Sequence, residues 1–167
     1  YQFDENDPGS LSDNFVRAIL EDRSGTLWLG TNGGGLNRLD RATGKFVHYR
    51  NDPADPDSLS NNYVFCLHED RDGNIWLGTW GGGLNRLDGE RGTFSHFTMA
   101  DGLASNEILG ILEDRTGNLW LMTNEGLSRF SPLTGQFRNY DASDGLQGME
   151  FQGNACYQSQ NGEMFFG

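Results

Sequence analysis

The stretch EDRDGNIWLGTWGGGLNRLD, residues 69–88, is one of three near-copies in the chain. Upstream stands EDRSGTLWLGTNGGGLNRLD (21–40), and downstream EDRTGNLWLMTNEGLSRFS (113–131). Aligning on Trp28, Trp76 and Trp120, with Phe165 in the same place, divides the chain into repeats at 11–58, 59–102 and 103–145, and a truncated closing repeat at 146–167. Residues 1–10 read as the tail of a preceding unit, because ENDPGSLSDN echoes RNDPADPDSLSNN. The chain therefore reads as a piece cut from a longer protein. Repetition at this period is the mark of an array of like units.

Each unit is strand-like throughout. YVFCLHED (63–70) leads to a turn at RDGN, where Asp72-Gly73 can take the positive-φ geometry of a tight hairpin. IWLGTW (75–80) alternates in strand fashion, GGG (81–83) turns the chain, and LNRLD (84–88) and TFSHFT (93–98) supply two further strands. No helical periodicity competes. Four short antiparallel strands per unit describe a propeller blade. The fold expected is all-β: a partial β-propeller of about three full blades plus two incomplete ones, with one outer strand at its start and two inner strands at its end. The innermost strand carries Ala18, Cys66, Gly110 and Ala155 at one position. All are small, as strands crowding a central axis require, so Cys66 reads as a packed residue and Cys156 as core by register.

Composition narrows the function. Against 24 acidic residues stand 12 basic ones, a net charge of −12. A binder of nucleic acid needs a basic stripe that is not seen. No run approaches the length of an apolar membrane span. Two cysteines build neither a disulfide framework nor a zinc cluster, and the sequence calls for no cofactor and no metal.

A residue needed once per blade builds the blade. The Glu-Asp pairs 21–22, 69–70 and 113–114 recur before each hairpin, where Asp can accept turn amides, which outweighs a catalytic-carboxylate reading. Trp28, Trp76 and Trp120 read as packing between blades. The Gly triplets 33–35 and 81–83 lack the following helix and nearby Lys of a phosphate loop. His48 and His96 occupy one outer-strand position, held by Asn139 in the third unit. His68 replaces Leu20 and Leu112 and has no partner that the sequence can name.

Residues that break the repeat near the axis are the better candidates for binding. The loops leading into the inner strands individualise their blades with Arg17, Tyr63, Phe65 and Glu107. The loops after the second strand hold Asn32, Trp80 and Asn124. An aromatic platform among amides and charges suits a sugar or another small polar ligand, by stacking plus hydrogen bonds. The bland alternative is that Trp80 merely covers its neighbouring blade.

The strings S-N-x-V, E-D-x-x-G-x-x-W-x-G-T, G-G-L-x-R and F-x-x-Y/F resemble the two-component regulator propeller repeat over essentially the whole chain. The resemblance implies a periplasmic, ligand-sensing part of a membrane-anchored bacterial receptor, a homodimer whose output is a histidine kinase or a diguanylate cyclase and whose ligands include glycans. It implies no catalysis by these residues. Two units depart from the pattern: Met122 replaces the Gly of W-L-G-T, and the last unit has Phe165-Phe166-Gly167 for W-x-G with no Glu-Asp pair. Scaffold blades that mediate dimerisation are the second reading. A propeller lyase or hydrolase is the third, with Glu107 and His68 as its candidates. An open arc of blades is also expected to associate with copies of itself.

Overall fold

A computed structural model describes residues 1–148 and 151–167. It is all-β, with three four-stranded antiparallel sheets in chain order and a two-stranded fourth. The first sheet comprises β1 (Val16–Glu21), β2 (Leu27–Thr31), β3 (Leu36–Asp40) and β4 (Lys45–Tyr49). The second comprises β5 (Val64–Glu69), β6 (Ile75–Thr79), β7 (Leu84–Asp88) and β8 (Thr93–Phe97). The third comprises β9 (Ile108–Glu113), β10 (Leu119–Thr123), β11 (Gly126–Ser131) and β12 (Gln136–Tyr140). The fourth pairs β13 (Cys156–Gln158) with β14 (Met164–Phe166).

The strand that the sequence led us to expect at the start is absent: residues 1–10 contain none. By register Tyr1 aligns with Tyr49, the last residue of β4. The segment instead folds on the first sheet. Tyr1 meets the Phe46 ring edge-on at 5.0 Å, and Gly9 accepts a hydrogen bond from the Phe46 amide. The RDGN turn also differs in detail. Gly73 has φ of 85°, whereas Asp72 stays at negative φ, and Asp70 pairs with Asn74 across a three-residue loop. A type I turn closed by a left-handed glycine fits that geometry.

The core lies between the sheets, and the recurring Trp fills it. Trp28 packs with Leu59, Val64, Ile75 and Leu77 of the second repeat. Trp76, wholly buried, packs with Leu103, Ile108, Leu119 and Phe130 of the third. Trp120 lies 6.5 Å from Phe166 of the closing pair. Each such ring removes enough apolar surface from water to contribute on the order of 3 kcal/mol. The indole N–H is satisfied by the Asp of the Glu-Asp pair: Trp28 on Asp22 (2.8 Å), Trp76 on Asp70 (2.7 Å) and Trp120 on Asp114 (3.1 Å). The other oxygen of the same carboxylate accepts the turn amides, for example those of Asp72 and Asn74 on Asp70. One residue thus fixes both the hairpin and the packing of the Trp.

The Glu of the pair and the following Arg form a clamp between neighbouring sheets, which reading the sequence did not disclose. Glu69 accepts the Arg23 amide at 3.0 Å, and the Arg23 guanidinium donates to the Asp70 and Arg71 carbonyls. One repeat later Glu113 accepts both the amide and the Nε of Arg71, while Arg71 donates to the Asp114 and Arg115 carbonyls. Arg115 continues the series to the Asn161 carbonyl. The Gly triplets serve the same seam at the other end of the strands. Gly33 and Gly35 donate to the Asn62 carbonyl, and Gly81 and Gly83 to that of Asn106. The amides of Gly33, Gly35, Gly81 and Gly83 are therefore occupied, which counts against a phosphate-cradle reading.

Candidate functional site

The seven residues picked out because they break the repeat come together on one end of the sheets. Arg17 and Phe65 sit at β-bulges, where the pairing of β1 with β2 shifts between Val16 and Ala18, and that of β5 with β6 between Val64 and Cys66. A bulge re-aims the side chain it carries. The Arg17 guanidinium lies 4.9 Å from the centroid of the Phe65 ring, and Phe65 stacks at a tilt on Trp80, centroids 5.1 Å apart. Arg17 Nε donates to Asn32 Oδ1 at 2.9 Å, and Asn124 Nδ2 donates to Glu107 Oε2 at 2.7 Å. Bridges of single residue pairs join Asn32 to Tyr63 and Trp80 to Glu107. A continuous ridge results, running Asn32, Arg17, Phe65, Trp80, Glu107, Asn124, with Tyr63 beside Asn32.

The ridge is accessible. Trp80 is 43% exposed and Tyr63 46%. The Trp80 amide is anchored on the Tyr63 carbonyl at 3.0 Å, so the ring projects from a fixed backbone. Arg17, Phe65 and Trp80 make a cation–aromatic–aromatic stack with one open edge. The Asn32 amide flanks one end, and the Asn124–Glu107 amide–carboxylate pair flanks the other. Such an arrangement can stack on the apolar face of a ring ligand and hydrogen-bond its rim.

Asn154 holds this ridge from beneath, and the sequence reading did not find it. Its side chain donates to the carbonyls of Arg17 and Phe65, both at 3.1 Å, and its own amide donates to the Leu109 carbonyl at 2.8 Å. Arg17, Phe65 and Leu109 are the bulge positions of three successive inner strands. Asn154 is the one non-glycine residue with positive φ (61°) among the described residues, a conformation that Asn tolerates best after Gly. A sequence signal existed. Leu146 and Ala155 are nine positions apart, whereas Leu59 and Cys66, or Leu103 and Gly110, are seven apart.

The remaining candidates stand elsewhere. His48 and His96 bond the Ser10 and Ser58 carbonyls through Nε2, at 2.7 and 2.8 Å, and Asn139 bonds the equivalent Gly102 carbonyl. These are structural. Burial pushes the Cys66 thiol far up, and Cys156 is raised for the same reason, which leaves neither poised to react. Among the described residues no group of three or more His, Cys, Asp or Glu side chains is placed to hold a metal ion.

His68 is half-buried between the second and third sheets, its Nε2 without a hydrogen-bond partner and 3.8 Å from Glu113 Oε2. Burial lowers its pKa against the opposing pull of Glu113 and Asp70. Glu113 ends β9, while Glu107 precedes its first residue, so His68 and Glu107 stand at opposite ends of one strand. The two candidates of the lyase or hydrolase reading therefore do not converge. Because Leu20 and Leu112 occupy the same register, His68→Leu is expected to stabilise the chain by about 1 kcal/mol, read from urea denaturation midpoints. A histidine with depressed folded pKa costs stability as pH falls below its unfolded value, so the gain should widen below about pH 6.5. An equal gain at pH 5 and pH 8 would count against this account.

Three segments, residues 10–33, 58–81 and 102–125, match the family described as two component regulator propeller. Among solved structures, the extracellular domain of the hybrid two component system BT3049 from B. thetaiotaomicron is 29% identical, with a TM-score of 0.84. The match covers 99% of this chain and 22% of that one. The extracellular domain of the hybrid two component system BT4673 from the same organism is 26% identical over 98% of this chain and 23% of that one, with a TM-score of 0.83. This chain thus spans about a fifth of the length of these relatives. A virginiamycin B lyase from Staphylococcus aureus, 18% identical over 91% of this chain and 55% of that one, shares the fold with a TM-score of 0.63. No curated protein sequence matches the chain. Among the described residues no helix is long and apolar enough to cross a membrane.

Proposed function

We propose, on the match of three segments to the two-component regulator propeller family, that the chain is a ligand-sensing segment of an extracytoplasmic sensor domain. Its ligand is a carbohydrate or another small polar ring compound, and the segment itself is non-catalytic. The observation that carries this reading is the open Arg17–Phe65–Trp80 stack, flanked by Asn32 and by the Glu107–Asn124 pair. Scaffold needs do not account for it, since the first and third repeats place Asn32 and Asn124 where the second places Trp80. Similarity to extracellular domains of two-component systems supports the sensory part of the proposal.

Titrating a panel of neutral and acidic oligosaccharides into the chain by calorimetry tests it. A saccharide that binds the wild type should bind W80A about tenfold more weakly or worse, because the main stacking surface is gone. Thermal stability should change little, since the ring is nearly half exposed. Unchanged affinity in W80A, Y63A and R17A alike would place the ligand somewhere other than the ridge.

A further inference from the structure

In the third sheet two arginines face each other directly across the β11–β12 pair, Arg129 opposite Arg138. The equivalent pairs in the other two sheets are Arg38 opposite Val47 and Arg86 opposite Ser95. Like charges directly opposite on one sheet face are destabilising unless something compensates them. A second change goes the same way: Ser131 stands where Asp40 and Asp88 end the third strands of the first two sheets. Relative to the second sheet the site gains Arg138 and loses the Asp88 carboxylate, while Thr134 replaces Arg91, within a chain of net charge −12.

The same residues line a cavity of about 210 Å³, together with Asn118, Thr134 and Gln136. Arg129 lines it with a side chain that is 38% exposed, although its Nε is itself buried and without a hydrogen-bond partner. The nearest carboxylate oxygen, Asp114 Oδ2, is 3.7 Å from it, and the Asp114 oxygens already accept from Thr116, Asn118 and Trp120. Arg138 lies over the Tyr140 ring at 4.8 Å, so stacking rather than a carboxylate positions its guanidinium. We infer that this cavity is a binding site for a sulfate or phosphate group, held between the two guanidiniums with hydroxyl and amide donors at its rim. Paired guanidiniums match the geometry of such oxyanions, and a local rule broken in one repeat of three is where a function is expected.

The test is titration of sodium sulfate into the isotope-labelled 167-residue chain, with ionic strength held constant by sodium chloride. Amide shifts should saturate in the millimolar range and be confined to the cavity residues around Ser131–Arg138. R138S, which copies Ser95, should weaken binding about tenfold or more. S131D, which restores the carboxylate of the other two sheets, should weaken it comparably while leaving both arginines in place. Thermal midpoints are not the readout, because sulfate stabilises folded proteins generally by exclusion from their surface. Tighter binding of galactose 6-sulfate than of inorganic sulfate would assign the site to a sulfate ester on a sugar, and equal binding would assign it to the free ion. Shifts that never saturate, or that persist undiminished in both variants, would overturn the inference.

Discussion

Asp70→Ala is expected to destabilise the chain by about 3–5 kcal/mol, a large share of the roughly 5–15 kcal/mol that holds an ordinary domain folded. Asp70 is 3% exposed and accepts from the Asp72 and Asn74 amides, the Asn74 side chain and Trp76 Nε1. Removing it orphans an indole N–H in the wholly buried Trp76 and releases the hairpin that positions β6. Asp70→Asn keeps an acceptor oxygen and should cost roughly half as much. Urea denaturation of the two variants checks the order. A cost for Asp70→Ala below about 1 kcal/mol would mean that water replaces the carboxylate, and that the Glu-Asp pair does not organise the blade.

The same carboxylates set the response to acid. Burial alone would raise the pKa of Asp70, but the hydrogen bonds from Trp76 and Asn74 outweigh it and hold the group below its usual value. At Asp22, burial is likewise outweighed by donors from Ser24 and Trp28. At Asp114 it is outweighed by donors from Thr116, Asn118 and Trp120. A carboxylate depressed in the folded state contributes stability that is fully present above its unfolded pKa and is lost as pH falls through the folded one. Stability should therefore decline below about pH 4, and Asp70→Asn should decline less steeply because one of the three groups no longer titrates. Parallel acid curves for wild type and Asp70→Asn would remove Asp70 from this set.

How much was legible in the sequence follows from what repetition can and cannot report. A strand pattern copied three times declares its own backbone, and the positions that broke it near the axis, Arg17, Tyr63, Phe65, Trp80 and Glu107, converge in space because equivalent positions of blades must. The Arg23–Glu69 and Arg71–Glu113 clamps were hidden by the same logic. They repeat faithfully, so nothing in the string distinguishes a contact within a blade from one between blades. Asn154 was missed for the opposite reason. It belongs to a unit that departs from the pattern, and its partners Arg17 and Phe65 lie 137 and 89 positions away. Arg138 does break the repeat, but on an outer strand, away from the axial loops where ligands of propellers were sought.

Gly78→Ala is the substitution that tests the inter-blade fit most sharply. A Cβ on Gly78 would run into the Cys66 sulfur and come within 2.6 Å of Ile108 Cγ2 and 2.9 Å of Ile108 Cβ, in the inner strand of the next sheet. A Cβ on Gly30 meets Val64 in the same way. Two walls of packed side chain leave nowhere to relax, so a cost of about 2–3 kcal/mol is expected from one methyl group. The third sheet solves the same problem in reverse. Met122, wholly buried, stands in place of this glycine, and its cross-strand partner is Gly110 where β5 has Cys66. Volume has moved from one strand to its neighbour. Met122→Gly should then destabilise by about 2–5 kcal/mol through the cavity it leaves, although it restores the residue of the other two repeats. Ile108→Ala combined with Gly78→Ala should cost less than the sum of the single changes, because Ile108→Ala removes part of the wall that the new Cβ strikes. Strict additivity in urea denaturation, or a cost for Gly78→Ala within about 0.5 kcal/mol of zero, would show that the sheets can slide apart, and that the spacing at this seam is not set by the glycine.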